Sequence, residues 1–141
     1  MKLIIIDDNK PFRDSLRFYL ERTLEHEVIA EAIDGIEFLR IENSNEADAI
    51  LMDVEMPNIN GIQAVQIALS HNPKLNVIAV TSFYDKMYLL DLLNVGFKAC
   101  VFKNRVFEEL EKALYEISNQ RKYFPENIKI IDKKKKPTNN I

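Results

Sequence analysis

The sequence predicts an α/β fold in which a parallel sheet of five strands carries helices on both faces, a doubly wound arrangement. Short apolar runs alternate with segments of helical period, which is typical of β-α units that wind a parallel sheet. Most of these runs end abruptly in charged or hydroxyl residues, as expected where parallel strands end at one edge of a buried sheet. The predicted strands are residues 3–6, 28–32, 49–52, 77–80 and 99–102.

Five helices are predicted after these strands. The first has apolar residues at i, i+4, i+7, i+8 and i+12, which form one face of a helix, and Pro11 suits its first turn. Asp34 and Gly35 turn the chain into a short second helix. The third follows a loop at 58–61, where Gly61 provides a backbone angle. The predicted apolar positions are Phe12, Leu16, Tyr19, Leu20 and Leu24, then Ile36 and Leu39, then Ile62, Val65 and Leu69, then most of 87–95, then Val106, Leu110, Ala113, Leu114 and Ile117.

Three carboxylates follow two of the predicted strands. Asp7 and Asp8 come directly after the first strand, and Asp53 comes directly after the third. Because parallel strands end at the same edge of a sheet, we expect these side chains to share one site. Clustered acids need a counter-charge, and Mg²⁺ supplies it because this ion prefers oxygen ligands and is usually held by one or two carboxylates and waters. The sequence therefore predicts a magnesium site.

Two further strand ends supply a hydroxyl and an ammonium. Thr81 and Ser82 follow the fourth strand, and Lys103 follows the fifth. A carboxylate nucleophile, a metal, a hydroxyl donor and a cation are the parts that phosphoryl transfer requires. The four strand ends together predict a phosphoryl-transfer site.

The residues at these strand ends resemble the receiver domain of two-component response regulators. The resemblance rests on the segments 5–9, 51–61, 80–82 and 101–103, and it runs from about residue 2 to about residue 119. It implies a flavodoxin-like (βα)5 fold with strand order 2-1-3-4-5. It also implies a receiver domain over residues 1–119, followed by a linker-like, flexible and basic tail over residues 120–141.

The resemblance implies a role for each site residue. Asp53 would accept a phosphoryl group from a sensor histidine kinase or a phosphotransfer protein. Asp8, Asp53 and the backbone carbonyl of Glu55 would bind Mg²⁺ directly, and Asp7 would act mainly through a water. The chain would not be an enzyme in the usual sense, because it would catalyse only its own phosphorylation and dephosphorylation.

The resemblance also implies how the signal leaves the site. Thr81 would donate its hydroxyl to a phosphoryl oxygen and Lys103 would pair with the phosphoryl charge. The surface formed by the fourth helix, fifth strand and fifth helix would then change, for a partner, an effector domain or a second copy in a homodimer. Receivers usually carry Tyr or Phe three residues before this lysine, but here the residue is Cys100, so the usual aromatic coupling is not expected.

Two regions leave alternatives open. The fourth helix, residues 87–95, is apolar almost all round, so it either presents an interaction surface or is covered by its neighbours. Residues 121–128 resemble the linker of NarL-type transcription factors, yet no DNA-binding domain fits in the residues that follow. We expect either a single-domain regulator or the receiver portion of a NarL-type regulator whose helix-turn-helix is missing from this chain.

Two other classes of protein compete with the receiver. Mg²⁺-dependent phosphohydrolases of the haloacid dehalogenase type also use a strand-end aspartate, and residues 53–55 resemble their Asp-x-Asp motif, but the second acid here is Glu55. A flavodoxin-like binding module would share the fold. Its phosphate loop should offer backbone donors after the first strand, whereas Asp7 and Asp8 would repel a phosphate unless a metal intervened.

Composition limits the remaining classes. A chain of 141 residues with 47% hydrophobic and 29% charged residues fits one globular domain. The net charge of -3 gives no reason to expect nucleic-acid binding by the bulk of the domain. No apolar stretch approaches the ~20 residues of a membrane span, and a single cysteine cannot form an internal disulfide. We therefore expect a cytoplasmic protein with no membrane partner.

Overall fold

The computed structural model describes residues 1–55 and 60–125, and within these ranges the sheet has the five predicted strands. The strands are β1 Lys2–Ile6, β2 Glu27–Ala32, β3 Ala49–Asp53, β4 Val77–Thr81 and β5 Ala99–Phe102. Their order is β2-β1-β3-β4-β5, and each neighbouring pair is parallel. The predicted α/β class, strand order and parallel register are therefore confirmed.

Helices follow each strand, at the predicted places. They are α1 Lys10–Phe18, α2 Gly35–Leu39, α3 Gly61–His71, α4 Lys86–Val95 and α5 Val106–Ser118. The first helix differs from the prediction, because α1 is followed by a wider π-helical turn, Tyr19–Thr23, in which the Leu24 amide donates to the Tyr19 carbonyl at 3.1 Å. Leu20 lies in this wider turn and is fully buried. None of the helices in the two described ranges is long and apolar enough to cross a bilayer.

The sheet separates two hydrophobic cores. On one face, α1 and α5 pack on the sheet, and on the other face α2, α3 and α4 do so. All residues of β3 and β4 are buried, which explains why the central strands are continuous apolar runs and not alternating patterns. These buried central strands carry Asp53 and Thr81 as their last residues.

Most of the apolar surface of α4 is covered. Leu89 and Leu92 are buried, and the partly buried residues Tyr88, Leu90, Leu93 and Val95 pack against the same core. The exposed apolar side chains lie at the beginning of the helix, where Phe83 and Tyr84 precede Met87. Packing against the rest of the protein therefore accounts for much of the apolar character of α4.

The chain turns back onto β5 after α5. The Tyr123 amide donates to the Lys98 carbonyl at 3.1 Å, and the Cys100 amide donates to the Tyr123 carbonyl at 2.8 Å. Phe124 is 9% exposed and packs in the core that contains Cys100. Residues 121–125, here called the strap, thus lie beside β5 and cover this edge of the sheet.

Parts of three predictions lie outside the described residues. These are residues 58 and 59 of the loop before α3, the end of the NarL-like linker at 126–128, and the remaining tail with its lysine run at 133–136. The division of the chain at residue 119 stays a prediction. The strap shows that the packed structure continues past that residue, at least as far as Phe124.

Candidate functional site

The three predicted carboxylates meet at one edge of the sheet. Asp7 follows β1 and Asp53 ends β3, and these two strands are neighbours. One carboxylate oxygen from each of Asp7, Asp8 and Asp53 lies within 4.8 Å of the others. Asp7 is 2% exposed and Asp53 1% exposed, whereas Asp8 is open to solvent. The cluster therefore has a buried floor and an accessible side.

Local backbone structure orients the two buried carboxylates in the same way. The Asn9 amide donates to Asp7 Oδ1 at 2.8 Å, and the Glu55 amide donates to Asp53 Oδ1 at 2.9 Å. In each case an aspartate side chain accepts a bond from the backbone two residues later, a turn that aspartate favours. One oxygen of each carboxylate is fixed in this way, and the other is left for the site.

Lys103 joins the site from the end of β5. Its Nζ lies 3.1 Å from Asp53 Oδ2 and 3.3 Å from Asp7 Oδ2. It also lies 5.2 Å from the centre of the Phe12 ring, a distance at which the ring face attracts a cation. Burial lowers the pKa of Lys103, but the charges of Asp53 and Asp7 outweigh burial and the pKa is raised. Lys103 is therefore a fixed positive charge in the site.

Asp53 has a perturbed pKa. Burial raises it from 3.8 to about 6, and the charge of Asp7 acts in the same direction. The bond from the Glu55 amide and the charge of Lys103 act against this rise. Asp53 is still mainly ionised at neutral pH, but its charge is stabilised less than that of a solvated aspartate.

The donor set fits a hard divalent cation. Asp7 Oδ2 is buried and accepts no hydrogen bond, although it lies near the Lys103 ammonium. Three carboxylates beside that ammonium leave an excess of negative charge, and clustered carboxylate oxygens are what Mg²⁺ prefers. A bound cation would give Asp7 Oδ2 a partner besides Lys103 and would offset the excess negative charge.

Thr81 lies at this edge too, but its hydroxyl is bonded to Glu55. The buried Thr81 hydroxyl donates to Glu55 Oε1 at 2.8 Å and accepts a bond from the Phe83 amide at 3.1 Å. The Ser82 amide donates to the same Glu55 oxygen at 2.6 Å. The structure therefore connects Thr81 to the side chain of Glu55, a contact that the sequence pattern did not predict.

Gly61 is needed for a reason other than a backbone angle. A Cβ atom at this position would lie 2.5 Å from the Asp53 carbonyl oxygen and 2.7 Å from Val54 Cα. Among the described glycines, Gly96 and not Gly61 has a positive φ. The close approach lets the first turn of α3 pack against the end of β3, so Gly61 supports the position of Asp53.

Comparison with known proteins identifies the class that this fold and site define. A family model described as the response regulator receiver domain matches residues 3–115. The chain belongs to this family. Membership favours a receiver over the phosphohydrolase and the flavodoxin-like binding module.

The curated relatives are named as regulatory proteins. The "Uncharacterized transcriptional regulatory protein YhcZ" of Bacillus subtilis is 38% identical over 112 residues, which cover 79% of this chain and 52% of the relative. The chain thus spans about half the length of the curated relatives it matches.

Solved structures show the same fold. The non-phosphorylated receiver domain of the stress response regulator RcsB from Escherichia coli has a TM-score of 0.80 and 26% identity, and the match covers 89% of this chain and 98% of that one. A LuxR-family two-component response regulator from Aurantimonas has a TM-score of 0.83 at 24% identity, with 90% and 91% of the two chains covered. The second match supports the fold alone.

Proposed function

We propose that this chain accepts a phosphoryl group on Asp53 in a Mg²⁺-dependent reaction. The donor is the phosphohistidine of a sensor kinase or of a phosphotransfer protein. The observation that carries the proposal is the position of Asp53, whose Oδ1 is fixed by the Glu55 amide and whose Oδ2 faces Lys103. A fixed, ionised carboxylate beside a cation is suited to attack phosphorus.

The proposed transfer is a nucleophilic displacement at phosphorus. An Asp53 carboxylate oxygen forms a bond to phosphorus, the bond from phosphorus to the histidine nitrogen breaks, and its electron pair remains on that nitrogen. With a pKa of about 6, Asp53 is mainly ionised at neutral pH and available as the nucleophile. Lys103 pairs with the negative charge that the new group brings to the site.

The acidic cluster holds the metal in this proposal. Asp8, Asp53 and the backbone carbonyl of Glu55 would bind Mg²⁺ directly, and Asp7 would contribute mainly through a water. The ion would supply positive charge to offset the charges of the phosphoryl oxygens and of the attacking carboxylate. The exposure of Asp8 gives the ion and the phosphodonor access, whereas the burial of Asp7 and Asp53 keeps the other ligands rigid.

The signal leaves through Thr81 and the α4-β5-α5 surface. The Thr81 hydroxyl donates to a phosphoryl oxygen, which moves the loop between β4 and α4. In that loop the Tyr84 ring contacts Phe102 of β5, with ring centres 4.3 Å apart and ring planes inclined by 40°, so movement of the loop reaches β5. This contact offers an aromatic connection that does not need an aromatic residue at Cys100.

The receiver passes this signal to an effector, which we propose is a DNA-binding domain of the NarL type. The support is indirect: the relative YhcZ is named a transcriptional regulatory protein and is about twice the length matched here. A solved structure of the related RcsB is described as two dimers bound to two parallel DNAs, which supports self-association as a homodimer. Analytical ultracentrifugation before and after phosphorylation tests the homodimer. The alternative to a DNA-binding effector is that the protein acts as a single-domain regulator.

Labelling by acetyl phosphate tests the proposed function. With Mg²⁺, mass spectrometry should show at most one phosphoryl group per chain, and none when EDTA removes the metal. Asp53→Asn should abolish labelling, whereas Asp14→Asn, which changes an exposed aspartate of α1, should leave it intact. Persistent labelling of the Asp53→Asn protein, or catalytic turnover of acetyl phosphate without a labelled protein, would contradict the proposal.

Substitution of Asp8 tests the metal site separately. Asp8→Ala should weaken Mg²⁺ binding by about tenfold or more, measured by calorimetry, because it removes a charged ligand. Since Asp8 is exposed, the variant should fold normally without metal. Unchanged Mg²⁺ affinity would exclude Asp8 as a ligand.

A further inference from the structure

The Glu55 carboxylate occupies the hydrogen-bond donors at the end of β4. Glu55 Oε1 accepts bonds from the Thr81 hydroxyl at 2.8 Å and from the Ser82 amide at 2.6 Å. Glu55 lies two residues after Asp53, whose side chain accepts a bond from the Glu55 amide. A carboxylate thus takes up the Thr81 hydroxyl, the donor that the proposed function assigns to an incoming phosphoryl group.

A threonine hydroxyl has one proton and donates one hydrogen bond. In this structure the Thr81 proton is given to Glu55, and the hydroxyl oxygen also accepts a bond from the Phe83 amide. A phosphoryl oxygen and Glu55 Oε1 therefore cannot both receive the proton of Thr81. Each acceptor is an anion, so repulsion between them adds to the competition.

The surroundings of Glu55 place its charge where α4 meets the site. Burial raises the pKa of Tyr88 to about 12, and the charge of Glu55 contributes to the rise. Tyr88 belongs to α4 and its ring packs edge-on against Phe83 of the preceding loop, with centres 5.3 Å apart. The carboxylate is thus close to β3, β4 and α4 together.

We propose, on the basis of the phosphoacceptor function above, that the Glu55 carboxylate is an internal competitor of the phosphoryl group. It holds Thr81 and Ser82 in the unphosphorylated protein and must leave before Thr81 binds a phosphoryl oxygen. Glu55 is a positioning residue, because it acts through Thr81 and not on the reacting atoms. Its side chain therefore raises the free-energy cost of the conformational change that phosphorylation causes.

Binding of beryllofluoride with saturating Mg²⁺ tests this competition. The ion is described as phosphomimetic in a related receiver-domain structure. Glu55→Ala should bind it about 5- to 20-fold more tightly by calorimetry, because a charge-assisted bond no longer has to be broken. Glu55→Gln should give a smaller gain, because its amide oxygen is an uncharged acceptor. Glu42→Ala, which removes an exposed acid elsewhere, should change the affinity by less than about twofold.

A double-mutant cycle shows whether the effect passes through Thr81. In a Thr81→Val background, which keeps the shape but removes the hydroxyl, Glu55→Ala should gain less than about twofold. The proposal is overturned if Glu55→Ala binds beryllofluoride no more tightly than the parent protein. An equal gain with Thr81 and with Val at this position would also overturn it, since general charge removal would then explain the effect.

Two controls separate this proposal from the function on which it rests. If the parent protein with Mg²⁺ does not bind beryllofluoride, or if Asp53→Asn binds it equally well, the phosphoacceptor function fails. If the parent binds it through Asp53 and Glu55→Ala shows no gain, the competitor proposal alone fails. Glu55→Ala removes a negative charge close to the proposed metal site, so the Mg²⁺ concentration is raised until each variant is saturated and the beryllofluoride affinities are compared only under that condition.

Discussion

The Lys103 ammonium lies 3.1 Å from Asp53 Oδ2, although Lys103 follows β5 and Asp53 ends β3, two strands that are separated by β4. The long lysine side chain bridges this gap and also reaches Asp7. One cation therefore links the ends of three strands. Burial raises the pKa of Asp53, and the positive charge of Lys103 acts against this rise.

Removal of this cation should separate metal binding from phosphoryl recognition. Lys103→Met should lower beryllofluoride affinity about tenfold at saturating Mg²⁺, because the charge of the bound group loses its partner. Mg²⁺ affinity should stay the same or increase, since a positive charge leaves the site. Calorimetry measures both quantities, with Lys112→Met on the exposed face of α5 as the control. Unchanged beryllofluoride affinity would exclude the proposed role of Lys103.

Stability without metal should depend on pH through Asp53. Burial raises its pKa from 3.8 to about 6, so the folded state binds more protons than the unfolded state between these values. The contribution of Asp53 to stability is therefore present below the unfolded pKa and is lost as the pH rises through about 6. Asp53→Asn removes this loss.

Urea unfolding in EDTA measures the effect. The Asp53→Asn protein should be more stable than the parent by about 1 to 3 kcal/mol at neutral pH, and the difference should shrink toward acid pH. Saturating Mg²⁺ should stabilise the parent more than the variant, because the ion binds the ionised carboxylate. A difference that does not change with pH would show that Asp53 has an ordinary pKa.

A methyl group at Gly61 should disturb the site by pressing on the backbone of Asp53 and Val54. Alanine usually stabilises a helix relative to glycine by about 0.5 to 1 kcal/mol, but here its Cβ would lie 2.5 Å from the Asp53 carbonyl oxygen. Gly61→Ala should therefore destabilise the protein, by about 2 kcal/mol, and weaken Mg²⁺ binding. Gln66→Ala, on the exposed side of α3, is the control. Stabilisation by Gly61→Ala would contradict the close approach.

The strap should contribute to the stability of the receiver. Phe124 is 9% exposed, and Phe124→Ala should lower the free energy of unfolding by about 2 to 4 kcal/mol through lost burial and a cavity. Phe18→Ala, at a position that is 65% exposed, should cost about 0.5 kcal/mol or less. Chemical denaturation compares the two variants. Equal costs would mean that the strap does not pack on β5 in solution.

The sequence predicted those features that follow from strand burial. Central strands covered on both faces must be apolar along their length, so an acid directly after such a run, as at Asp7 and Asp53, marks a strand end. Parallel strands end at the same edge, which places these side chains together without any knowledge of the loops. The fold and the acidic cluster were predictable for this reason.

Other features depend on packing that no short motif encodes. The bond from Thr81 to Glu55 requires a particular path of the loop after β4 and a particular side-chain rotamer. Phe124 follows a helix end and carries no periodic pattern, so its place beside β5 was not predictable. The role of Gly61 depends on the distance between α3 and β3, which is a tertiary property.

A crystal structure with Mn²⁺ and beryllofluoride tests the central claim most directly, because the anomalous signal of manganese locates the ion. We expect the ion to be coordinated by carboxylate oxygens of Asp8 and Asp53, with beryllium bonded through an Asp53 oxygen. Thr81 and Lys103 should contact the fluorides, and the Glu55 side chain should have left Thr81. An ion bound elsewhere, or beryllium on another residue, would contradict the assignment of this site.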